Sequence, residues 1–281
     1  MKRYDELLHK GYSQSFEVTN VLYHDKTEHQ DLVIFETPVF GRVMALDNII
    51  QVTSRDEYVY HEMMTHVPLL AKSQVSDVMI IGGGDGGILR ETLRHKSVKH
   101  VTMVELDRSV VDLAVEYFPE ISNGAFDDPR TDLIITDGVK FVAETNKRFD
   151  VIIVDSTDPI GPGEVLFTES FYADCHRCLN DGGVLVTQNG VPFFQGDEVI
   201  NTFHRMGKTF ADNGFYTAVV PTYIGGFMTL GWGTDDASLR DVDIETLRAR
   251  FANAGIKMRY YTPDVHKAAF ALPQFILDLL V

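Results

Sequence analysis

The chain has 281 residues, enough for one or two domains with an apolar core that needs no disulfide or metal staples. Apolar residues at 44% and charged residues at 23% exclude a disordered or coiled-coil chain. The formal net charge of −16 repels nucleic-acid phosphates and anionic lipid and attracts cations, so it serves either plain solubility or a cationic ligand.

Residues 1–10 hold no apolar core of signal-peptide length. No run approaches the roughly 20 apolar residues of a membrane span. The two cysteines, Cys175 and Cys178, exclude a disulfide scaffold and point to a reducing compartment. A cytoplasmic protein with no nucleic-acid or membrane partner is expected.

Short strands are predicted over 15–24, 31–36, 41–46 and 49–53. They are rich in β-branched and aromatic residues, and turns such as Asp25-Lys26 and Asp47-Asn48 separate them. They predict a small N-terminal antiparallel β domain over 1–55, followed by a catalytic domain over 56–281. The second domain opens on an amphipathic helix over 56–71, with Val59, Met63, Met64, Val67 and Leu70 at helical spacing. Strands over 77–81, 100–105, 133–136, 149–155 and 183–188 then alternate with helices over 87–95, 109–117, 139–145, 168–179 and 198–211. An antiparallel pair over 215–220 and 227–232 closes the series. The alternation predicts an α/β fold, a Rossmann-like, methyltransferase-type parallel sheet with helices on both faces. Ligands of such sheets sit beyond the carboxyl ends of the strands.

Those ends carry the chemistry. After the first parallel strand stands Gly82-Gly83-Gly84-Asp85-Gly86-Gly87, a turn that brings backbone close to a ligand. Asp85 would repel a pyrophosphate and suits a ligand carrying positive charge. Glu105 ends the second strand, 20 residues after Asp85, near the spacing at which an acid grips ribose hydroxyls. It reads either so or as a solvated end, and Asp107 reads as a helix cap. Asp137-Gly138 ends the third strand, as a cap or as an adenine contact. The fourth ends in Asp155-Ser156-Thr157-Asp158-Pro159, on a Pro- and Gly-punctuated loop able to close as a lid. Acids clustered at one crevice bind an amine or a hard metal such as Mg²⁺. His61 and His66 are five apart, so a zinc-protease pattern is disfavoured. Cys175-His176-Arg177-Cys178 lies mid-helix and reads as packing.

Together, Tyr60-His61-Glu62-Met63, the Gly82–Gly86 turn, Val104-Glu105-Leu106-Asp107, Asp137-Gly138 and Asp155-Ser156-Thr157-Asp158-Pro159 resemble the polyamine aminopropyltransferases, bacterial spermidine synthases among them. The resemblance runs from the β segment to Ala269-Phe270-Ala271-Leu272-Pro273. It implies transfer of an aminopropyl group from decarboxylated S-adenosylmethionine, a co-substrate, to putrescine, with no metal or further cofactor. It also implies a homodimer or homotetramer. Gln30 would contact the nucleoside donor, with Gln51 a weaker candidate. Glu105 would hold the ribose, Asp137 and Gly138 would face adenine, and Pro162 would pack along the nucleoside. Asp85 and Asp155 would hold the aminopropyl ammonium. His61, Asp158, Tyr60, Gln188 and Tyr223 would line the diamine site, and Asp155 would accept the proton. Family members carry either His or Gln at position 61, so no required acid-base role falls on His61.

The chemistry accounts for acids at these places. A primary amine is neutral in roughly one molecule per few thousand at pH 7, so the nucleophile is the difficulty. A base in a desolvated pocket reduces that cost. Another acceptor amine (agmatine, cadaverine or spermidine) keeps the same mechanism. A methyltransferase of this fold would have to seat the donor carboxylate that Asp85 repels.

Overall fold

The computed structural model describes residues 2–27, 30–156 and 166–281. Strands β1 (Arg3–His9) and β2 (Tyr12–Glu17) pair as a hairpin. Strands β3 (Asn20–Lys26), β4 (Asp31–Thr37), β5 (Gly41–Leu46) and β6 (Ile49–Thr53) form a four-stranded antiparallel meander. Side chains alternate along β4. Leu32 and Ile34 join Met44 and Val52 against Val110, Leu113 and Phe118 on one face. Val33 and Phe35 meet Tyr4 and Phe16 of the hairpin on the other, with the Tyr4 and Phe35 rings stacked. The strand expected over 15–24 is two strands, broken at Val18 and Thr19. Strand β1 lies outside every expected element. Its charged residues mask a pattern in which Tyr4 and Glu6 turn inward.

Helix α1 (Glu57–Ala71) leads into a seven-stranded sheet of order β12-β13-β11-β10-β7-β8-β9. Strands β7 (Asp77–Gly82), β8 (His100–Glu105), β9 (Thr131–Ile135), β10 (Phe149–Asp155) and β11 (Leu179–Gln188) are parallel. Strands β12 (Asp212–Ala218) and β13 (Met228–Thr234) close one edge antiparallel, as the expected pair does. Helices α2 (Gly87–Leu93), α3 (Arg108–Tyr117), α4 (Pro119–Ser122), α5 (Gly138–Glu144), α6 (Glu169–Arg177) and α7 (Gly196–Met206) connect the strands. The central strands are apolar on both faces. Val78, Ile80, Val151 and Ile153 pack on α1 and α2, while Met79, Ile81, Ile152 and Val154 pack on α5 and α6. This is the Rossmann-like, methyltransferase-type sheet.

Three helices follow that the periodic reading leaves unassigned: α8 (Ile244–Ala254), α9 (Pro263–Ala269) and α10 (Gln274–Leu277). Two of them carry start signals. Asp243 caps α8 and Thr262 caps α9, with proline at the first position of α9. This tail also changes the character of α1. Spacing predicts one apolar face, yet every residue from Val59 to Ala71 is buried. Glu62 is the link, its carboxylate accepting the backbone N–H groups of Arg259, Tyr260 and Tyr261 at 2.7, 2.8 and 2.8 Å. Glu62→Ala strands these donors and is expected to cost about 2–4 kcal/mol in urea denaturation. A loss under about 0.5 kcal/mol would show that the tail is held by other contacts. Among the described residues, no helix is long and apolar enough to cross a membrane.

From β7 the chain winds outward through β8 and β9, then returns to β10 and β11 on the other side. The winding therefore reverses between β7 and β10, the place where such sheets open a crevice for ligands. Asp155, the last residue of β10, stands in register with Gly82, the last of β7.

Candidate active site

A cavity of about 540 Å³ opens over this reversal point. Gly82 sets its floor. It has φ of +78°, and a Cβ there would fall 2.0 Å from the Asp155 carbonyl oxygen, so only glycine lets the two strand ends meet. The chain then turns through Asp85, whose Oδ1 accepts the Gly87 N–H at 2.7 Å and fixes the start of α2. Helix α1 passes beside this turn. Its Tyr60 hydroxyl donates to Asp155 Oδ1 at 2.6 Å. Its His61 stands between two acids, with Nδ1 2.6 Å from Glu57 Oε2 and Nε2 3.2 Å from Asp85 Oδ2.

Burial dominates the charges here. It pushes the Asp155 carboxyl up to about 6, helped by the Asp85 charge and opposed by the Tyr60 hydrogen bond and by His61. Burial and the Asp155 charge hold the Tyr60 hydroxyl well above its ordinary range. Burial works against a charged His61, but Asp85 and Glu57 outweigh it and raise the ring to about 10. At the end of β8, burial pushes Glu105 up to about 7, against the backbone N–H groups of Asp107 and Leu106.

Gln30, Tyr60, His61, Asp85, Glu105, Asp137, Gly138, Asp155, Gln188 and Tyr223 all line this one cavity, as does Gln51. Asp107 caps α3 and also accepts from the Gln30 amide at 3.2 Å. Asp137 caps α5, accepting the Val139 and Lys140 N–H groups, and also lines the cavity. Asp158 and Pro162, with most of the loop that carries them, lie outside the described residues. Cys175 and Cys178 are free thiols buried in the sheet core.

Other residues complete the site without a strand-end signal. Asp56 accepts the Thr222 N–H at 2.8 Å and the Thr53 hydroxyl at 2.6 Å, which ties the segment bearing Tyr223 to α1. The Tyr223 hydroxyl in turn donates to the Gln51 carbonyl at 2.6 Å. Glu6 of β1 reaches the cavity wall and accepts the Ile50 N–H at 2.8 Å. Arg90 of α2 donates to Glu57 at 2.9 Å. Only the Glu57–His61 pair, four residues apart on a helix, was available to sequence inspection.

The strand-end crevice of this Rossmann-like sheet gathers carboxylates, Asp85, Glu105, Asp137 and Asp155 among them, an arrangement in which a positively charged group can be held. The chain belongs to the spermine/spermidine synthase family: residues 57–243 match the spermine/spermidine synthase domain, and residues 3–54 match the spermidine synthase tetramerisation domain. It is similar to polyamine aminopropyltransferase 1 of Pseudomonas aeruginosa, at 59% identity over 100% of this chain and 98% of that one. It is similar also to the polyamine aminopropyltransferase of Escherichia fergusonii, at 57% identity over 99% and 97%. The crystal structure of spermidine synthase from Thermotoga maritima superposes with a TM-score of 0.91 at 34% identity, covering 99% of this chain and 93% of that one. A spermidine synthase in complex with the transition state analogue AdoDATO superposes at 0.94 with 35% identity, covering 99% and 94%.

Proposed function

We propose that this enzyme transfers the aminopropyl group of decarboxylated S-adenosylmethionine to putrescine, giving spermidine and 5′-methylthioadenosine. The reading rests on one observation above all. Asp85 and Asp155, both only partly exposed, line one cavity, and the charge of one raises the other, an arrangement that a cationic ligand relieves. The neighbour that holds AdoDATO supports the same reading. Glu105 would hold the ribose, Asp137 and Gly138 the adenine, and Gln30 and Pro162 the nucleoside. Asp85 would take the aminopropyl ammonium, with His61, Tyr60, Asp158, Gln188 and Tyr223 along the diamine.

In the step itself, the neutral amine attacks the aminopropyl carbon bonded to sulfur. The N–C bond forms as the C–S bond breaks, and its electron pair stays on sulfur as a neutral thioether. The new secondary ammonium gives its proton to Asp155. Tyr60 occupies Oδ1, which leaves Oδ2 to receive it. The sulfonium is already a good leaving group, so the proposed reaction calls for no metal or cofactor. The match of residues 3–54 supports a homo-oligomer, dimer or tetramer, and the two free thiols support a reducing, cytoplasmic setting.

The test is methylthioadenosine release with putrescine, cadaverine, agmatine and spermidine offered separately, and with S-adenosylmethionine as parallel donor. Release with putrescine and the decarboxylated donor alone supports the reading. Preference for another amine moves the acceptor, and methyl transfer from the carboxylated donor overturns it. Donor affinity carries a second expectation. Ribose hydroxyls bond best to ionised Glu105, so affinity is expected to fall as pH drops through about 7. Glu105→Gln should weaken the donor by roughly 10-fold or more at pH 8 and flatten that dependence. An unchanged dissociation constant by calorimetry would remove Glu105 from the donor site.

A further inference from the structure

His61 is 2% exposed, and each of its ring nitrogens faces a carboxylate oxygen. An ionised carboxylate can only accept hydrogen bonds. A neutral imidazole has one N–H and satisfies one of the two acids, whereas an imidazolium satisfies both. The ring is seated firmly, since a Cβ on Gly87 would fall 2.1 Å from its Nδ1.

Both acids are tied down from behind. Arg90 Nη2 donates to Glu57 Oε2 at 2.9 Å, which keeps Glu57 an anion. Arg90 is itself anchored by the Ile121 carbonyl at 2.7 Å and Glu91 Oε1 at 2.9 Å. Asp85 spends its other oxygen on the Gly87 N–H. The groups facing His61 are thus Glu57 on its own helix, with Arg90 of α2 behind it, Asp85 from the glycine turn, and Tyr60 with Asp155 of β10 bonded to it. Tyr223 lies beyond Tyr60, edge-on to its ring.

We propose that Glu57 and Arg90 are positioning residues that hold His61 as a fixed imidazolium, and that this cation keeps the attacking amine of the acceptor neutral. The second half rests on the function proposed above. It resolves a conflict in that reading. Carboxylates draw a diammonium into the crevice, but they also stabilise its protons. His61 adjoins Tyr60, whose hydroxyl meets the Asp155 base, so its charge opposes a second positive charge beside Asp155 while the distant ammonium keeps its own.

Glu57→Gln is nearly isosteric, and its amide oxygen can still accept from Nδ1. It removes one anion and leaves Arg90 behind the ring with Glu91 as its remaining acid partner. The first measurement is ¹⁵N NMR of ligand-free, histidine-labelled protein, with the His61 signals identified by their absence in His61→Gln. Both His61 nitrogens are expected to be protonated from pH 6 to 8.5. In Glu57→Gln the ring should be neutral at pH 8.5, whereas Arg90→Lys in the otherwise native protein, which keeps a cation on Glu57, should retain the wild-type signature. A neutral wild-type His61 at pH 7 overturns the proposal, and so does an unchanged ring in Glu57→Gln. The wild-type spectra decide the charge even if the Glu57 variant does not fold.

The second measurement is the pH profile of kcat with donor and putrescine saturating, which reports groups in the ternary complex. In Glu57→Gln the acid limb is expected about one unit higher, a roughly tenfold loss at pH 7 that closes as the amine loses its proton in alkali. A loss equal at every pH indicates a purely structural role and overturns the second half. Absence of methylthioadenosine release from the wild type with any amine would instead remove the function, while the ligand-free spectra still decide the charge on His61.

Discussion

Asp155→Asn is expected to lower turnover by about three orders of magnitude while donor affinity changes less than about tenfold. The substitution keeps what positions the group and removes what it does. Its amide oxygen still accepts the Tyr60 hydroxyl, which now meets Asp155 Oδ1 at 2.6 Å, and Asp85 remains to attract the ammonium. The amide cannot take a proton, so the attacking nitrogen loses the acceptor placed beside Tyr60. Rapid-quench single turnover and equilibrium dialysis separate the two quantities. Near-normal turnover would sink the base assignment. The wild-type profile should also steepen on the acid side as Asp155, raised to about 6, becomes protonated, and the variant should keep only the limb set by the amine itself.

The same change carries an expectation of opposite sign for stability. Asp155 has its folded value raised from 3.8 to about 6, so the native state takes up more proton than the unfolded chain between those values. The stability linked to this group is fully present below 3.8 and declines as pH rises to about 6. At pH 7.5 the ionised group is therefore a burden on the fold, and Asp155→Asn should stabilise the protein by about 1–3 kcal/mol. A variant that is slower yet melts higher cannot owe its slowness to unfolding. A lower melting temperature at pH 7.5 would mean that the buried amide finds fewer partners than the carboxylate does.

The residues that sequence inspection could find are those whose position follows from one strand or one turn. Gly82, Asp85, Glu105, Asp137 and Asp155 each end a strand or follow it directly. A parallel sheet brings its strand ends to one edge whatever the details of packing, so these side chains meet in one cavity. Asp56 and Thr222 are 166 residues apart, and no local pattern announces their bond. Arg90 lies on a helix face where an arginine ordinarily reads as solvated, and only the approach of α1 makes it the partner of Glu57. Strand β1 was hidden by charge, because Glu6 is buried by hydrogen bonding rather than by apolar preference. The tail over α8 to α10 carried caps but no strong apolar period, and its docking rests on the Glu62 carboxylate meeting backbone N–H groups. Local periodicity records none of these long-range polar contacts.

Gly82→Ala and Gly124→Ala form a pair that tests how tightly the crevice is built. Both glycines hold left-handed backbone, with φ of +78° and +79°. Alanine at either position is expected to lose about 1–2 kcal/mol for that conformation alone. They differ in surroundings. A Cβ at Gly124 meets nothing within 4 Å, whereas a Cβ at Gly82 falls 2.0 Å from the Asp155 carbonyl oxygen. That oxygen belongs to the backbone of β10, so it yields only by moving the strand end. Overpacking of this kind adds about 1–3 kcal/mol. The strand end carries the Asp155 side chain, and a displacement of the order of 1 Å in a reacting group costs roughly 100-fold in rate. Gly124→Ala should therefore be slightly less stable and fully active. Gly82→Ala should lose about 2–5 kcal/mol in denaturation and at least about 100-fold in turnover. If both variants lose stability equally and both keep their activity, the contact between the ends of β7 and β10 yields without moving Asp155. The placement of the base would then depend on its bond to Tyr60 and not on the bare backbone of Gly82.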